Sequence, residues 1–532
     1  MPWSRADLLA GPRHYVVSLT IGSRQLFYSH EALDITADDG SVVAVSAGLV
    51  ADIDATRALQ IQETSVPLKS VSLSVITEAE DWAAIVAEGW DLAAGVGELS
   101  EWIPGRTWEQ RQVILTGLLD APTYGARGEP LAFTLKNHPM QDRAQLLPST
   151  AIVDDDTWPL ADDRAKGRSY PTVIGKPGTI GTTRLPGSPG LLVNDVSRYL
   201  LIAGHEVEAT SVEIADITED PLLWATHAVT HRTDGRGRTV ATVTLQHATP
   251  VKYNAGHDYA VCWGYSGAGG GLYNRTRSTS MRTAGDMLAY LFEQSTLSID
   301  RGRTAAAVNQ LQGYLVDAYI DEPVGVWEWL QGNLLPILPI SIRYGPAGLY
   351  PVVWRSVIED ESPLQLLDVD AGDVVRVGVV ETSSTLHGEL ANTIRVAYGI
   401  DAMTGDHRAA YLLHGDPDRI TNGTSTASSR ITRISVARYG EVPVELQTSV
   451  VWDPATAAAV AYQAALRHAL PVRRINYLCP QSFGWLEEGS GVQVTDSELS
   501  LSNVFGLVSE VQDLTDGSVR IQVTLLDPVV RD

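Results

Sequence analysis

Pro454-Ala-Thr-Ala-Ala-Ala-Val-Ala-Tyr-Gln-Ala-Ala-Leu-Arg-His-Ala-Leu470 opens the stretch that decides the fold, Val451 to Val530. It reads as a helix. Short β-type runs follow it: Arg474-Ile-Asn-Tyr-Leu-Cys-Pro480, Gly491-Val-Gln-Val-Thr-Asp496, Asn503-Val-Phe-Gly-Leu-Val-Ser-Glu-Val-Gln512 and Ser518-Val-Arg-Ile-Gln-Val-Thr-Leu-Leu526. The last two flank the turn Leu514-Thr-Asp-Gly517. A helix followed by small strands that count out a barrel reads as a β-rich assembly domain.

Working outward, 532 residues are too many for one core, and about three or four domains are expected. Hydrophobic content of 44% and charged content of 19% fit folded globular material. No apolar run approaches the roughly 20 residues of a membrane helix, and the N-terminus carries no signal-peptide pattern. The formal charge of −25 argues against a phosphate-gripping protein. It leaves room for a duct through which nucleic acid slides. Cys262 and Cys479 stand in unrelated segments without metal-ligand spacing, so two reduced, buried thiols are expected.

The first unit alternates at period two in His14-Tyr-Val-Val-Ser-Leu-Thr-Ile21 and Ser70-Val-Ser-Leu-Ser-Val-Ile76. A short helix is expected over 78–94, then strands at 112–119 and 131–135. Residues 148–189, rich in Pro, Gly, Asp and Ser, read as a long loop or linker. Strands are expected at 191–193, 198–202, 212–214 and 239–245. Helices are expected over 283–294, 304–314 and 323–335, followed by a hairpin at 340–354. The last unit holds strands at 374–380, 392–398 and 430–436. Two β units with one helix each, at the start and the end, are compatible with an internal duplication.

No stretch supplies a catalytic, cofactor or metal site. The glycine cluster 267–271 lacks the P-loop lysine, and Gly175-Lys176 runs into Pro177. Asp154, Asp155, Asp156, Asp162 and Asp163 lack the EF-hand order. His227 and His231 lie in a β-type stretch, where an i,i+4 pair gains no helical proximity. Glu322, Glu328, Glu381 and Asp401 have nothing to hold any pair at glycosidase separation. The sequons at Asn274 and Asn422 read as chance. The scattered tryptophans, Trp329 and Trp485 among them, read as core or interface anchors.

Three stretches resemble tailed-phage tail hub proteins, the trimeric baseplate-hub family. They are Arg106-Thr-Trp-Glu-Gln-Arg-Gln-Val-Ile-Leu-Thr-Gly117 with Pro122-Thr-Tyr-Gly125 and Gly128-Glu-Pro130; Pro323 to Arg355; and Trp485-Leu-Glu-Glu-Gly-Ser-Gly-Val-Gln-Val-Thr-Asp496 through Leu526. The resemblance implies a multidomain, β-rich α+β chain. Its parts would be an N-terminal tube-like β-barrel or sandwich domain (1–145), a linker and smaller second β domain (146–255), a mixed helix and hairpin domain (256–365) and a C-terminal tube-like domain (366–532). It implies a non-enzymatic homotrimer that joins the sixfold tail tube to the threefold tip. The expected partners are a distal tail or tail tube protein, tail-tip or fibre proteins, and genomic DNA only in passage. The expected location is the virion, after assembly in the host cytoplasm. A glycan-binding or glycan-hydrolysing tip protein and a hexameric distal tail protein are the alternatives.

Overall fold

The computed structural model describes residues 13–50, 55–58, 70–76, 81–125, 128–136, 146–147, 151–218, 222–245, 258–265, 269–274, 279–295, 299–345, 348–354, 365–372, 374–381, 390–416, 425–514 and 518–525. The N-terminal sheet comprises β1 (His14–Ile21), β2 (Arg24–Ser29), β3 (Leu33–Thr36), β4 (Val42–Ala47), β6 (Ser70–Val75), β7 (Val96–Trp102), β8 (Gln112–Thr123) and β9 (Leu131–Lys136). Between β4 and β6 the described residues include β5 (Ala55–Ala58), which pairs outside this sheet. The order is β3-β4-β2-β1-β7-β8-β9-β6. The sheet curls until Val50 N–H donates to Ser74 O and Ile76 N–H to Gly48 O, both at 2.7–2.9 Å. Alternate residues such as Val17, Leu19, Leu99, Leu115 and Phe133 fill the inside, as period-two strands require. The helix α1 (Trp82–Ala87) covers one end with Trp82 and Ile85. It is shorter than the expected 78–94 because Gly89, at φ +93°, stops it and Asp91 starts a separate 3₁₀ turn.

Next come β10 (Leu146–Leu147), β11 (Thr172–Ile174), β12 (Thr179–Ile180) and β13 (Thr183–Arg184). A closed barrel follows. It is built from β14 (Ser188–Asn194), β15 (Tyr199–Ala203), β16 (Ser211–Asp216), β17 (Ala225–Thr233), β18 (Thr239–Thr244) and β19 (Tyr259–Cys262), in the order β14-β15-β18-β17-β16-β19. The boundary expected after residue 255 therefore cuts this barrel before its last strand. The described part of the expected linker is packed as well. Ala151, Val153, Trp158, Ala165 and Tyr170 share a core with Leu191, Val193, Leu201 and Val240. Trp158 Nε1 donates to Tyr170 Oη at 2.8 Å, and that hydroxyl donates to Asp234 at 3.0 Å.

The central unit carries β20 (Tyr273–Asn274), β21 (Thr279–Ser280), α2 (Ala284–Gln294), α3 (Arg301–Gln310), β22 (Ala318–Ile320), β23 (Val324–Gly325), α4 (Val326–Trp329) and the hairpin β24 (Ile340–Gly345) with β25 (Gly348–Val353). Thr283 and Asp300 cap α2 and α3 with their side chains. β22 and β23 pair with β11 and β10, tying this unit to the chain before the barrel.

The C-terminal third divides in two. β26 (Gln365–Asp368) and β27 (Val375–Glu381) belong to one sheet with β32 (Arg473–Cys479), β33 (Gly491–Asp496), β34 (Leu501–Asp513) and β35 (Val519–Leu525), in the order β26-β33-β34-β35-β32-β27. Inserted between β27 and β32 are β28 (Thr393–Ile400), β29 (His407–His414), β30 (Ser425–Ser428), α5 (Arg430–Tyr439), β31 (Pro443–Gln447) and α6 (Pro454–His468). That insertion has its own sheet, β30-β29-β28-β31. Its core, including Ile394, Val396, Val460 and Ala461, merges with Met287, Leu291 and Trp329 of the central unit. One domain over 366–532 is therefore not what forms.

The strand expected at 430–436 lies in α5. Ser429 and Thr432 form a capping box there, and Ile431, Thr432 and Ser435 are the buried face. In α6, Arg467 is 4% exposed and has carbonyl rather than carboxylate partners. It donates to Pro336 O at 3.3 Å and Leu338 O at 2.6 Å, and burial pushes its pKa down to about 10.

The N- and C-terminal sheets share a strand order. β7-β8-β9-β6 in the first matches β33-β34-β35-β32 in the second: a three-strand meander with the preceding strand returned beside its last member. This is Greek-key connectivity. The flanking strand differs in direction, since β1 runs antiparallel to β7 whereas β26 runs parallel to β33.

Candidate assembly interface

The two related sheets are joined by backbone. β5, from the N-terminal sheet's own connection, pairs antiparallel with the far end of β34: Glu510 opposes Ala58 and Asp513 opposes Ala55. Because β33 stops at Gly491 opposite Leu507, β5 takes the part of the same edge that β33 leaves open. Ladder bonds made this way fix register as well as distance.

The Trp485-to-Asp496 run is a joint between three units. Trp485 packs against Ile103 beside β7 of the N-terminal sheet. Glu487 accepts a two-pronged contact from Arg303 of α3, at 2.7 and 2.9 Å, and Arg303 also lies over the Tyr350 ring. Glu488 accepts from Arg343 of β24 at 2.6 Å, and both side chains are nearly excluded from water. Gly489 sits at φ +80°, where a Cβ would come within 3.1 Å of Val352. Asp496, fully buried, receives Arg376 of β27 at 2.8 Å, and Glu498 takes the other arm of that guanidinium. Trp329 lies in the central core rather than at this joint.

The other singled-out residues have structural employment. Gly270 N–H donates to Glu208, Gly271 N–H to Gly175 O, and a Cβ on Gly271 would meet Val173 O at 2.2 Å. That part of the glycine cluster is a close backbone crossing; residues 266–268 lie outside the described residues. Lys176 N–H donates to buried Asp317, which also holds Arg282. Asp154 and Asp156 pair with Arg236, and Asp155 with Lys166, while Asp162 accepts from Arg164 N–H. His231 accepts the Val207 N–H, and burial lowers the pKa of His227. Among the described residues no group of His, Cys, Asp and Glu could hold a metal ion.

Glu322 and Glu328 are exposed, and Asp401 is buried against Arg408 at 2.7 Å. The side chain of Glu381 and residue Asn422 fall outside the described residues. Glu322 and Asp401 both lie near Tyr319, whose hydroxyl is pushed up to about 12, chiefly by burial. Cys262 and Cys479 are buried, free and in different sheets. Burial raises both thiols, Cys479 to about 12, which makes them poor nucleophiles.

One cleft of about 230 Å³ opens where the barrel, the 151–170 segment, β22 and the 401–406 turn meet. Asp162, Arg164, Arg168, Asp258, Asp321 and Met403 line it, and two loose ion pairs cross it: Arg164–Asp258 at 3.4 Å and Arg168–Asp321 at 3.5 Å. No helix of the described residues is long and apolar enough to cross a membrane.

No family model matches the chain, and no curated protein matches it. Among solved structures it is similar to the tail protein from Neisseria meningitidis MC58, at 9% identity and TM-score 0.35, over 97% of this chain and 98% of that one. It is similar to the 43 kDa tail protein of prophage MuSo2 from Shewanella oneidensis, at 9% identity and TM-score 0.34, over 97% and 100%. It is also similar to a chain in the virion of a native gene transfer agent particle, at 14% identity and TM-score 0.38, over 74% and 93%. Each is a loose likeness.

Proposed function

We propose that this chain is a structural subunit of a phage-type tail, a homotrimeric hub without catalytic activity. The observation that carries the reading is the pair of Greek-key sheets of matched order in one chain, already tied to each other by β5. Three such chains present six similar sheets, which is the count needed to meet a sixfold tube while keeping threefold symmetry at the tip. The stretches that resemble hub proteins support the same reading. One of them, Trp485 to Asp496, is the joint that sets the C-terminal sheet against the rest of the chain. A net charge of −25 suits a channel that passes DNA without gripping it. The neighbours in this reading are a distal tail or tube protein on one side and tip or fibre proteins on the other. The particle is the virion, assembled in the host cytoplasm.

Electron microscopy of the purified protein with symmetry left free tests this. A threefold ring with six similar lobes around an open channel is the expected result. A monomer, or a sixfold ring of single lobes, overturns it.

A further inference from the structure

Two backbone N–H groups at the seam between the barrel and the central unit are closed by imidazoles instead of carbonyls. β11 pairs with β22 of the central unit on one side. On its other side Val173 O accepts the Leu272 N–H at 2.7 Å, and Val173 N–H donates to His205 Nε2 at 3.0 Å. His205 stands in the connection between β15 and β16 of the barrel. Two residues on, Val207 bridges to Leu272, and its N–H donates to Nε2 of His231 on β17 at 3.1 Å. Val173 and Val207 are both buried in the barrel's core. One short connection is thus fastened to β11 by one imidazole and to β17 by another.

Both bonds need a ring nitrogen that carries no proton. His205 Nδ1 lies 2.8 Å from Glu206 O, so it holds the hydrogen of the neutral ring and Nε2 is left as the acceptor. A second proton would go to Nε2 and face the Val173 N–H donor to donor. Nε2 of His231 stands in the same relation to the Val207 N–H. The surroundings favour neutral rings. Glu206 meets the His205 ring through its carbonyl, and Glu208 accepts the Gly270 N–H at 3.3 Å. β17 brings His231, with His227 four residues before it. Tyr170 lies against Gly204, its hydroxyl on Asp234, and β22 sets Tyr319 opposite Val173. Thr172 to Ile174 and Gly269 to Leu272 carry no titratable side chain. Burial, above all, lowers His205 from 6.5 to about 4, and charge on His231 works in the same direction.

We propose that His205 and His231 form an acid-operated catch on the seam between the barrel and the central unit. With both rings neutral, the connection is held on both sides. Protonation turns each acceptor into a donor, and the connection lets go of β11 and β17 while the sheets on either side keep their ladders. The catch belongs to the single chain, whatever assembly that chain enters. Its direction follows from the released ring binding a proton more readily than the held one. The closed seam is therefore favoured above pH 6.5 and is lost progressively as the pH falls toward 4.

The test uses the full chain and His205→Gln, whose amide oxygen can take the Val173 N–H in place of Nε2 but does not titrate. Hydrogen exchange is compared at two pH values and corrected for the intrinsic rate. In the unaltered chain, opening at 172–174 and 205–209 should rise about twentyfold from pH 7 to pH 5, the factor set by His205 alone. β28 and β29 should keep their protection. In His205→Gln, residues 172–174 should stay protected at pH 5, and with His231→Gln added both segments should. The pH dependence of the thermal midpoint should correspond to about one proton fewer taken up on unfolding in His205→Gln. Equal protection of the two segments at both pH values in the unaltered chain overturns the proposal. A loss that persists undiminished in the double variant does the same. If the glutamine variants misfold, the unaltered chain decides: loss confined to these two segments supports the catch, and equal loss in β28 and β29 overturns it.

Discussion

β8 and β34 hold the same place in their sheets, yet they end differently. In both, the partner strand stops partway: β7 at Val96 opposite Leu118, β33 at Gly491 opposite Leu507. Past that point β34 continues as Val508-Ser-Glu-Val-Gln512, with Val508 and Val511 fully buried, and takes β5. Past the same point β8 breaks its register between Asp120 and Thr123, with Ala121 at φ +48° and Pro122 beside it. Leu118 and Tyr124 there are 38% and 39% exposed. A bulge and a proline are how a sheet refuses another strand. Two sheets of one plan thus differ at one edge: one accepts a strand, the other is shaped against it.

The strongest way to break the comparison is to give β34 the feature that closes β8. Gln512 is flanked by Thr56 of β5 on one side and Arg520 of β35 on the other, so its N–H belongs to a ladder whichever way it points. Gln512→Pro removes that N–H from the ladder and leaves its carbonyl partner unpaired, and is expected to cost about 1–3 kcal/mol. Hydrogen exchange should show amides 55–58 and 519–523 losing protection while β7 to β9 keep theirs. Equal protection in both sheets would mean that β5 is not held by β34.

A second difference is anchoring. The C-terminal sheet is pinned to β24 by Glu488, and removing that carboxylate leaves Arg343 buried without its compensating charge. Glu488→Gln is expected to destabilise by about 3 kcal/mol in chemical denaturation, because the cost is that of a stranded charge rather than of a surface ion pair. A change within 0.5 kcal/mol, which is about the size of an ordinary surface substitution, would place water at the arginine.

The smallest effect sharpens the comparison instead. Pro122→Val restores an N–H and a β-branched side chain to the exposed end of β8. The thermal midpoint should move little, while concentration-dependent association measured by light scattering should rise. If association is unchanged, the bulge at Ala121 suffices to close the edge without the proline.

Much of the architecture was legible from local pattern. His14 to Ile21 and Leu131 to Leu135 alternate because one face of each strand is buried, and β1 and β9 cover them. Pro454 to Leu470 read as a helix and forms α6, and the structure adds its cap: Asp453 accepts the Thr456 N–H just ahead of the first-turn proline. The misreading of Arg430 to Val436 has a physical source. Ile, Thr and Val alternate there as in a strand, and β-branched residues prefer strands. The bond from Ser429 to the Thr432 N–H, together with burial at helical spacing, overrides that preference. β5 carried almost no signal, since Ala-Thr-Arg-Ala is neither apolar nor strongly alternating, and its pairing comes from the edge it meets. Trp485-Leu-Glu-Glu-Gly was legible as a motif but not as a joint, because Arg303, Arg343 and Ile103 are far away in sequence.

The sequence by itself determined the β-rich class, the strong acidity, the capped helices and most of the strands. Each of these is set within one or two turns of chain, by periodicity, charge count or a capping side chain. Only the tertiary structure decided that two distant sheets share a strand order, that residues 393–468 join the central core instead of the C-terminal sheet, and which edges are covered. Edge pairing is made by backbone groups that every residue but proline carries alike, so its partners are chosen by three-dimensional placement and leave little mark on the side chains.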